Sequence, residues 1–337
     1  MVTIRDVARH AGVSAGTVSN VLNRPAYVGA ATRERVLTVI ADLCFTPSAR
    51  ARRFRTGRQR TLGLALADLA NPFFVDVALG AEAEAKRLDV GVVIIHNGED
   101  ATREQHNLDI LVQQRVHGMI IAPVRENDPG LDRLDARGIP LVYVDRVATS
   151  ETRCWVKTDD LAGGIIAGSH LISLGHRSTV FAGPFDVYPQ TRLRYQGFRS
   201  AFEGSSATVE RLDTSSWGID DGRAIGAALA GRDRDDLPTA VMAGNDLIAL
   251  GIFLEFTARG ISVPEDVSLV GFDDLVWAGA VPVPLTTVRQ PRAALGTHAV
   301  RFLLDEIDHP DEHEHQHLLL RSELVVRAST SLPRLPK

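Results

Sequence analysis

The pattern of apolar and polar residues near the N-terminus predicts two short helices joined by a tight turn. Apolar residues recur at helical spacing on either side of the sequence Gly12-Val13-Ser14. The two runs consist of Ile4, Val7, Ala8 and Ala11, and of Val18, Val21 and Leu22. Gly12 can adopt the left-handed backbone that ends a helix, and Thr3 and Ser14 can cap the two helices. The pattern therefore predicts a helix-turn-helix, whose second helix would enter the major groove of DNA.

A third helix and a basic segment follow. Residues 32–43 have helical periodicity, and their apolar side chains are expected to face inward: Val36, Leu37, Val39, Ile40 and Leu43. Residues 47–58 then contain five arginines and one bulky apolar residue, Phe54. On DNA, these arginines would neutralise phosphates, and Phe54 would wedge between base steps in the minor groove. The alternative is a basic linker in which Phe54 packs against the rest of the protein.

From residue 61 onward, strands alternate with helices in two successive sets. The first set has predicted strands over 61–68, 90–96, 118–123 and 141–145, and helices over 72–88, 102–114 and 130–137. The second set has predicted helices over 163–174, 192–202, 218–229 and 246–259, and strands over 179–182, near Arg211, over 240–243 and over 268–272. Such alternation is typical of a parallel sheet with helices on both faces. The sequence therefore predicts two doubly wound α/β halves with a ligand cleft between them.

These elements divide the chain into three parts. Residues 1–47 are predicted to form the helix-turn-helix domain, residues 48–60 a hinge segment, and residues 61–330 the α/β domain. A last helix over 291–307 and a last strand over 318–326 would cross back between the halves. We therefore assign residues 61–157 and 289–316 to the N-terminal half, and residues 158–288 and 317–330 to the C-terminal half.

Charge is distributed unevenly along the 337-residue chain. Residues 1–60 contain eleven arginines, no lysine and three acidic residues, whereas the net charge of the whole chain is −5. A basic head on an acidic body is typical of a nucleic-acid-binding module joined to a domain that avoids phosphates. No membrane span and no signal peptide are evident. Cys44 and Cys154 lie far apart without a CxxC pair, so we expect packing residues, no structural zinc and a cytoplasmic protein.

Polar and aromatic residues follow the predicted strands of the α/β domain. They include Asp145-Arg146, Asn245-Asp246 and Phe272-Asp273-Asp274 at strand ends, Arg194 near a helix start, and Trp217 between two strand–helix units. Carboxylate, amide and guanidinium groups match the hydroxyls of a polyol, and an aromatic ring covers its apolar side. Helix capping is the role expected for Asp246 and Asp274, and a core position is the alternative for Trp217.

Several motifs occur in a fixed order and spacing. They are T-I-R-D-V-A, A-G-V-S-A-G-T-V-S-N-V-L-N, the sequence T-R-E-R-V beginning at Thr32, and a hinge segment ending in T-G-R. With these motifs the chain resembles the lactose-repressor (LacI) family of bacterial transcription regulators, and the resemblance continues to the C-terminus. It implies a periplasmic-binding-protein-like effector domain and a DNA-binding regulator, expected to be a repressor, which acts as a homodimer on a pseudo-palindromic operator. A small effector, a sugar or polyol before a nucleoside, would bind in the cleft and change operator affinity. The protein would lie on the nucleoid when bound to DNA.

The resemblance also implies roles for single residues. DNA contacts are expected from Thr3, Ile4, Ser14, Ala15, Gly16, Thr17, Ser19, Asn20, Asn23, Thr32, Arg33, Ser48, Ala49, Arg50, Arg52, Phe54 and Arg55. Effector contacts are expected from Phe73, Asp145, Gln190, Arg194, Trp217, Asn245 and Asp273.

Some of these positions depart from the family pattern. Gly29 stands in place of a capping serine, Ser48 in place of an asparagine and Phe54 in place of an intercalating leucine. Ala15 and Gly16 offer no long donor, and Asn20 can pair with adenine or with a phosphate, so sequence readout would depend more on the hinge and on DNA shape.

Catalytic and transport functions are the alternatives. Residues 12–16 match the nucleophile elbow G-x-S-x-G, but a helical pattern precedes them where the elbow needs a buried strand. Nucleotide-binding motifs follow none of the predicted strands. His313, His315 and His317 lie among acidic residues, where a solvated loop is favoured over a metal site. We therefore expect no enzyme activity, no cofactor and no metal. A solute-binding protein of the same architecture would need a signal peptide and no basic head.

Overall fold

The computed structural model describes residues 2–23, 27–43, 60–125, 128–148 and 150–334. Contacts divide the chain into two compact units, Met1–Gln59 and Arg60–Lys337, which are described separately below. Most of the predicted hinge segment and its residues Ser48, Ala49, Arg50, Arg52, Phe54 and Arg55 lie outside the described ranges. None of the helices within those ranges is both long and apolar enough to cross a membrane.

The first unit contains three helices, α1 (Ile4–Ala11), α2 (Ala15–Asn23) and α3 (Ala30–Asp42). Thr3 caps α1 reciprocally: its Oγ1 accepts from the Asp6 backbone N–H at 3.4 Å, and its own N–H donates to Asp6 Oδ2 at 3.0 Å. Gly12 ends α1 in the left-handed region at φ 64°. Ser14 Oγ accepts from the Thr17 N–H at 3.0 Å, where α2 begins. The predicted helix-turn-helix is therefore confirmed, together with its local capping.

The core of this unit is small. Val7, Val18 and Val36 are fully buried, one from each helix. Leu37, which the sequence pattern placed inside, is 48% exposed. That prediction was wrong because α3 turns Val36 toward α1 and α2, and the next residue lies about 100° further round the helix.

The second unit contains two lobes, each built on a six-stranded sheet. The first sheet has the order β2-β1-β3-β4-β5-β11, and all its strands are parallel. Its strands are β1 (Thr61–Leu66), β2 (Gly91–His96), β3 (Met119–Ile121), β4 (Leu141–Val144), β5 (Cys154–Thr158) and β11 (His317–Leu320). The helices of this lobe are α4 (Pro72–Arg87), α5 (Ala101–Gln113), α6 (Pro129–Asp135) and α11 (Arg292–Asp308).

The second lobe repeats this plan. Its sheet has the order β7-β6-β8-β9-β10-β12, with β12 antiparallel to β10. Its strands are β6 (Ser178–Gly183), β7 (Thr208–Asp213), β8 (Ala240–Ala243), β9 (Ser268–Asp273), β10 (Thr286–Arg289) and β12 (Glu323–Val325). Its helices are α7 (Asp160–Ser173), α8 (Pro189–Ser200), α9 (Ile219–Ala230) and α10 (Asp246–Ala258), with a 3₁₀ turn at Val276–Gly279. The predicted fold of two doubly wound α/β halves is confirmed.

The described chain crosses between the lobes after β5, after β10 and after β11. Sequence patterns missed β5 and β10, since both are short and carry polar residues. The single strand predicted over 318–326 is two strands, one in each sheet, because the chain changes lobe at residues 321–322. Residues 317–320 therefore belong to the first lobe, which corrects the assignment of the whole range 317–330 to the second.

Three helix pairs of this unit pack with their backbones in direct contact: α4 with α11, α7 with α8, and α9 with α10. A Cβ added at Gly80 would lie 2.0 Å from the Ala293 carbonyl oxygen, and one at Gly197 would lie 2.0 Å from that of Leu161. Gly251 makes the equivalent contact between α9 and α10. Glycine is therefore required at these crossings, because any side chain would force the two helices apart.

Candidate functional site

A cleft lies between the lobes, at the carboxyl ends of the central strands of both sheets. The side chains proposed as effector contacts all line it: Phe73, Asp145, Gln190, Arg194, Trp217, Asn245 and Asp273. These residues are spread widely along the sequence, and the fold brings them to one place.

Asp145 and Asp273 occupy corresponding positions in the two lobes. Asp145 follows β4 and Asp273 ends β9, and both have positive φ, 63° and 117°. Burial raises the pKa of each carboxyl to about 6, although nearby arginines oppose the shift. Backbone strain and buried carboxyl groups with raised pKa values are both features of functional sites.

Each carboxylate accepts a hydrogen bond from a glutamine amide. Gln190 Nε2, at the start of α8 in the second lobe, donates to Asp145 Oδ2 at 2.8 Å and to the Asp145 carbonyl at 2.7 Å, so it links the two lobes. Gln290 Nε2, in the connection from β10 to α11, donates to Asp273 Oδ1 at 2.5 Å. Arg146 Nη1 donates to Gln190 Oε1 and completes a polar chain across the cleft.

Arg194 is the central cation of the second lobe and is 4% exposed. Its Nε donates to Asp160 Oδ1 at 2.9 Å and its Nη1 to the Gly244 carbonyl at 2.7 Å. Its guanidinium carbon lies 3.8 Å from the ring centre of Phe272 and 5.4 Å from that of Trp217. These contacts fix the guanidinium at the cleft wall in one orientation.

Aromatic rings form the apolar part of the cleft. The ring centres of Tyr188 and Trp217 are 5.2 Å apart, and Arg146 lies over Tyr188. Burial and a hydrogen bond with Glu99, from the opposite lobe, raise the pKa of the Tyr188 hydroxyl. Trp217 is half-buried and lines the cleft, although it also packs on the core of the second lobe.

The structure assigns helix capping to Asn245, whereas the sequence pattern assigned it to Asp246 and Asp274. Asn245 Oδ1 caps α10 by accepting from the Ile248 N–H at 2.9 Å, and its Nδ2 donates to the Trp217 carbonyl at 3.2 Å. The predicted capping roles of Asp246 and Asp274 were wrong. Asp246 is buried and accepts from the Thr287 hydroxyl and the Leu275 N–H, whereas Asp274 pairs with two arginines. Both carboxylates therefore connect strands and loops of the second lobe rather than ending a helix.

Sequence reasoning missed Asn71, Glu99, Tyr188 and Gln290, which also line the cleft, and did not commit to Arg146. Gln290 was missed together with β10, which it follows. Tyr188 stands directly before Pro189 at a helix start, a signal that could have identified it. The cleft thus offers carboxylates, amides and guanidinium groups on both sides of an aromatic face. These donors and acceptors complement the hydroxyl groups of a hydroxyl-rich ligand.

In the first unit, the candidate DNA-contacting residues divide by exposure. Thr3, Ser14, Gly16, Asn20 and Arg33 are exposed, whereas Ile4, Ala15, Thr17, Ser19 and Thr32 are half-buried. The side chain of Asn23 lies outside the described part of the chain. Ser14 lies in the turn between α1 and α2, and residues 2–13 contain no strand, so a nucleophile elbow is excluded at the G-x-S-x-G sequence.

Comparison with known proteins identifies both units. Residues 3–48 match the family described as bacterial regulatory proteins, lacI family, and residues 169–330 match the periplasmic binding protein-like domain. The HTH-type transcriptional repressor PurR of Haemophilus influenzae (strain PittEE) is 31% identical over 339 residues, 98% of each chain. The chain belongs to the LacI family. PurR of Photobacterium profundum is 30% identical, again over 98% of each chain.

Solved structures of LacI-family regulators have the same fold. The lac repressor dimer bound to operator and the anti-inducer ONPF is 28% identical, with a TM-score of 0.79 over 98% of this chain and 99% of that one. The CelR–cellobiose complex is 30% identical, with a TM-score of 0.70 over 98% and 100%. A LacI-family regulator from Enterococcus faecium with bound ribose is 28% identical, with a TM-score of 0.74 over 81% and 99%. The chain is thus a DNA-binding transcription regulator, and the alternative of a solute-binding protein for transport is not supported.

One prediction follows for the buried carboxylate of this LacI-family chain. The pKa of Asp273 is raised from 3.8 to about 6, so its ionisation destabilises the folded state. The free energy of unfolding therefore begins to fall above pH 3.8, and this decrease is complete above pH 6. Asp273→Asn is therefore expected to raise the free energy of unfolding by about 1–3 kcal/mol at pH 8 and by much less at about pH 4.5. Urea unfolding at the two pH values measures the difference.

Asp274→Asn is the matched control. Burial alone would raise the pKa of Asp274, but hydrogen bonds from Arg289 and Arg327 lower it below its ordinary value. This neighbouring substitution should therefore destabilise the protein at pH 8. Equal stability changes for Asp273→Asn at the two pH values would contradict the assigned burial of its charge.

The histidine-rich segment also differs from expectation. His313 does not lie in a solvated loop: its side chain is 2% exposed, and its Nδ1 lies 2.7 Å from Asp305 Oδ2. The prediction of a solvated loop was wrong for His313 because residues 309–316 fold back against the start of β5, and the sequence had not predicted this strand.

Proposed function

We propose that this LacI-family chain is a repressor whose operator affinity is set by a sugar or polyol bound between the lobes. The observation that carries the proposal is the pair of buried carboxylates, Asp145 and Asp273, which face one cleft from opposite lobes beside Arg194 and Trp217. Hydroxyl groups can donate to both carboxylates at once, and the aromatic face can cover the apolar side of a sugar ring. CelR with cellobiose and the Enterococcus regulator with ribose are relatives with ligands of this class.

The same residues suggest how ligand binding would reach the DNA. Gln190 and Asp145, and Tyr188 and Glu99, already make contacts across the cleft. A ligand that contacts both lobes favours one relative arrangement of them and thereby shifts the population of lobe arrangements. We propose that this arrangement controls operator affinity, with a coupling free energy of about 1–3 kcal/mol.

On the DNA side, we propose that two copies of the chain bind a pseudo-palindromic operator as a homodimer. The lac repressor neighbour is a dimer bound to its operator. The exposed face of α2, which carries Ser14, Gly16 and Asn20, would read the major groove, and Arg33 would contact phosphate. The contacts proposed for Ser48, Phe54 and the hinge arginines lie outside the described residues. We assign the chain no catalytic role, and we place it in the cytoplasm, on the nucleoid when bound to DNA.

The test of ligand class is a thermal-shift panel of D-ribose, cellobiose, a linear polyol and adenosine, followed by an operator-release assay with each hit. A ligand of the native state raises the melting temperature by mass action. We expect a sugar or polyol to do so and to change operator binding, and Asp273→Asn to remove both effects. Asp213→Asn, on the exposed end of β7, is the control and should respond as the wild type does. A response to adenosine alone, or an unchanged response in Asp273→Asn, would contradict the proposal.

Asn20→Ala tests the DNA-contacting face. Asn20 is exposed on α2, and a side-chain amide that pairs with a base edge contributes about 1–3 kcal/mol of discrimination. We expect operator affinity to fall about 10-fold to 100-fold, with little change in binding to unrelated DNA. Thr38→Ala, on an exposed position of α3, serves as the control. A uniform loss on all DNA sequences would assign Asn20 to phosphate rather than to a base.

A further inference from the structure

Four potential metal ligands meet at one end of the first lobe, away from the cleft. They are Cys154 at the start of β5, Glu306 in the last turn of α11, and His313 and His315 in the connection from α11 to β11. One ligand atom from each residue lies within 4.8 Å of all the others. Cys154 is fully buried. None of these residues belongs to the cleft or to the DNA-contacting face.

The distances among these atoms are close to those of a zinc site. Cys154 Sγ lies 3.2 Å from His313 Nε2 and 3.8 Å from His315 Nδ1. Zinc bonds of about 2.3 Å to sulfur and about 2.0–2.1 Å to nitrogen, at a tetrahedral angle, place sulfur and nitrogen ligands about 3.6 Å apart. These two distances lie on either side of that value, so small side-chain shifts would bring the sulfur and the two imidazole nitrogens to tetrahedral spacing, and a carboxylate oxygen of Glu306 lies within 4.8 Å of all three.

Neighbouring groups hold the ligands in the required orientation. His313 Nδ1 lies 2.7 Å from Asp305 Oδ2, which directs the opposite ring nitrogen toward the sulfur. This arrangement of carboxylate and imidazole is the one that orients histidine ligands of metals. The Gln316 backbone N–H also donates to Cys154 Sγ at 3.2 Å, and such a bond stabilises a thiolate.

We propose that Cys154, Glu306, His313 and His315 bind one Zn²⁺ ion as a structural site. A thiolate and two imidazoles exclude Mg²⁺ and Ca²⁺, which prefer oxygen ligands, and favour a borderline-soft divalent ion. Four protein ligands leave no open position, which is typical of structural rather than catalytic zinc. The sequence predicted no zinc, because nothing in the spacing of the histidines shows that Cys154, 159 residues before His313, lies beside them.

The position of this site indicates what the ion would stabilise. It joins the end of α11, the first residue of β5 and the segment that leads into β11. Arg60, the first residue of the second unit, pairs with Asp308 on the same end of α11 at 2.5 Å. Zinc would therefore stabilise the end of α11, where Arg60 begins the first lobe.

The test is a zinc titration of the metal-stripped full-length protein in competition with a chromophoric chelator. We expect one equivalent of Zn²⁺ to bind and to raise the melting temperature. Cys154→Ser should remove binding, and Asp305→Asn should weaken it about 10-fold to 100-fold through the lost support of His313. His106→Gln, an exposed histidine on α5, is the control and should bind as the wild type does.

Cobalt(II) in place of zinc provides a second measurement that identifies the ligands. Charge-transfer absorption in the near ultraviolet requires a thiolate on the cobalt and should disappear in Cys154→Ser. His315→Gln, which leaves the buried cysteine intact, should weaken cobalt binding even if Cys154→Ser fails to fold. Absence of stoichiometric binding, or equal zinc affinity in the wild type and His315→Gln, would overturn the proposal.

Discussion

Arg194→Met is expected to abolish ligand binding in the cleft and to lower the free energy of unfolding by about 3 kcal/mol or more. The guanidinium is 4% exposed and donates to Asp160 Oδ1, so its removal leaves a buried carboxylate without its main partner. Breaking a buried ion pair from one side destabilises proteins by about 3–5 kcal/mol. The lower end applies here because Lys157 Nζ, 3.1 Å from Asp160 Oδ2, remains as a second cation. Urea denaturation and isothermal titration with the sugar found in the thermal-shift panel measure the two effects.

Arg192→Met is the matched control on the same helix. Arg192 is exposed and donates only to the Phe185 carbonyl among the hydrogen bonds described, so its loss should change stability by less than about 1 kcal/mol. Operator binding should survive in both variants, because Arg194 belongs to the second unit. An Arg194→Met protein of nearly wild-type stability that still binds the sugar would remove this residue from the site.

Gly197→Val is expected to have the largest effect on stability, with little folded protein recovered. A Cβ at this position would lie 2.0 Å from the Leu161 carbonyl oxygen and 2.9 Å from the Ile165 nitrogen. Both atoms belong to the backbone of α7, so no side-chain rotation relieves the clash. Overpacking of a core usually destabilises by about 1–3 kcal/mol, and a clash between backbones exceeds that range. Soluble yield and the midpoint of urea unfolding measure the result.

A substitution at Gly197 should also affect the cleft, because α7 carries Asp160 and α8 carries Arg194. Moving the two helices apart would lengthen this ion pair, so Gly197→Ala, a milder change, should weaken ligand binding as well as stability. Gly231→Ala is the control, since a Cβ there would meet its nearest atom at 3.5 Å. A Gly197→Ala protein within about 0.5 kcal/mol of the wild type would show that α7 and α8 can separate without cost.

The sequence predicted the local structure well where periodicity or capping is strong. The helix-turn-helix, with Thr3 and Gly12 at the ends of α1, follows from side chains within a few positions of each other. Patterns also predicted most strands of both lobes. They failed for β5 and β10, whose short sequences become strands only because neighbouring strands pair with them. They failed again at residues 317–325, since no local signal marks the change of lobe between β11 and β12.

The candidate site was predictable to the extent that it depends on topology. Because parallel strands end at one edge, Asp145, Asn245 and Asp273 could be placed together from the sequence. Gln290 could not, because its strand was missed. The pairing of Cys154 with His313 could not be predicted either, since it depends on how a long connection folds back over a sheet edge.

The order of strands also bears on how the protein is made. The first lobe receives α11 and β11 from residues 292–320, so a nascent chain cannot complete that lobe until these residues have been made and have left the ribosome. The helix-turn-helix unit needs only residues near its own segment and can fold hundreds of residues earlier. A chain still in synthesis would therefore carry a finished DNA-binding head before its ligand-responsive part exists. We expect ribosome-bound chains that end before residue 292 to show a protease-resistant head and no resistant first lobe.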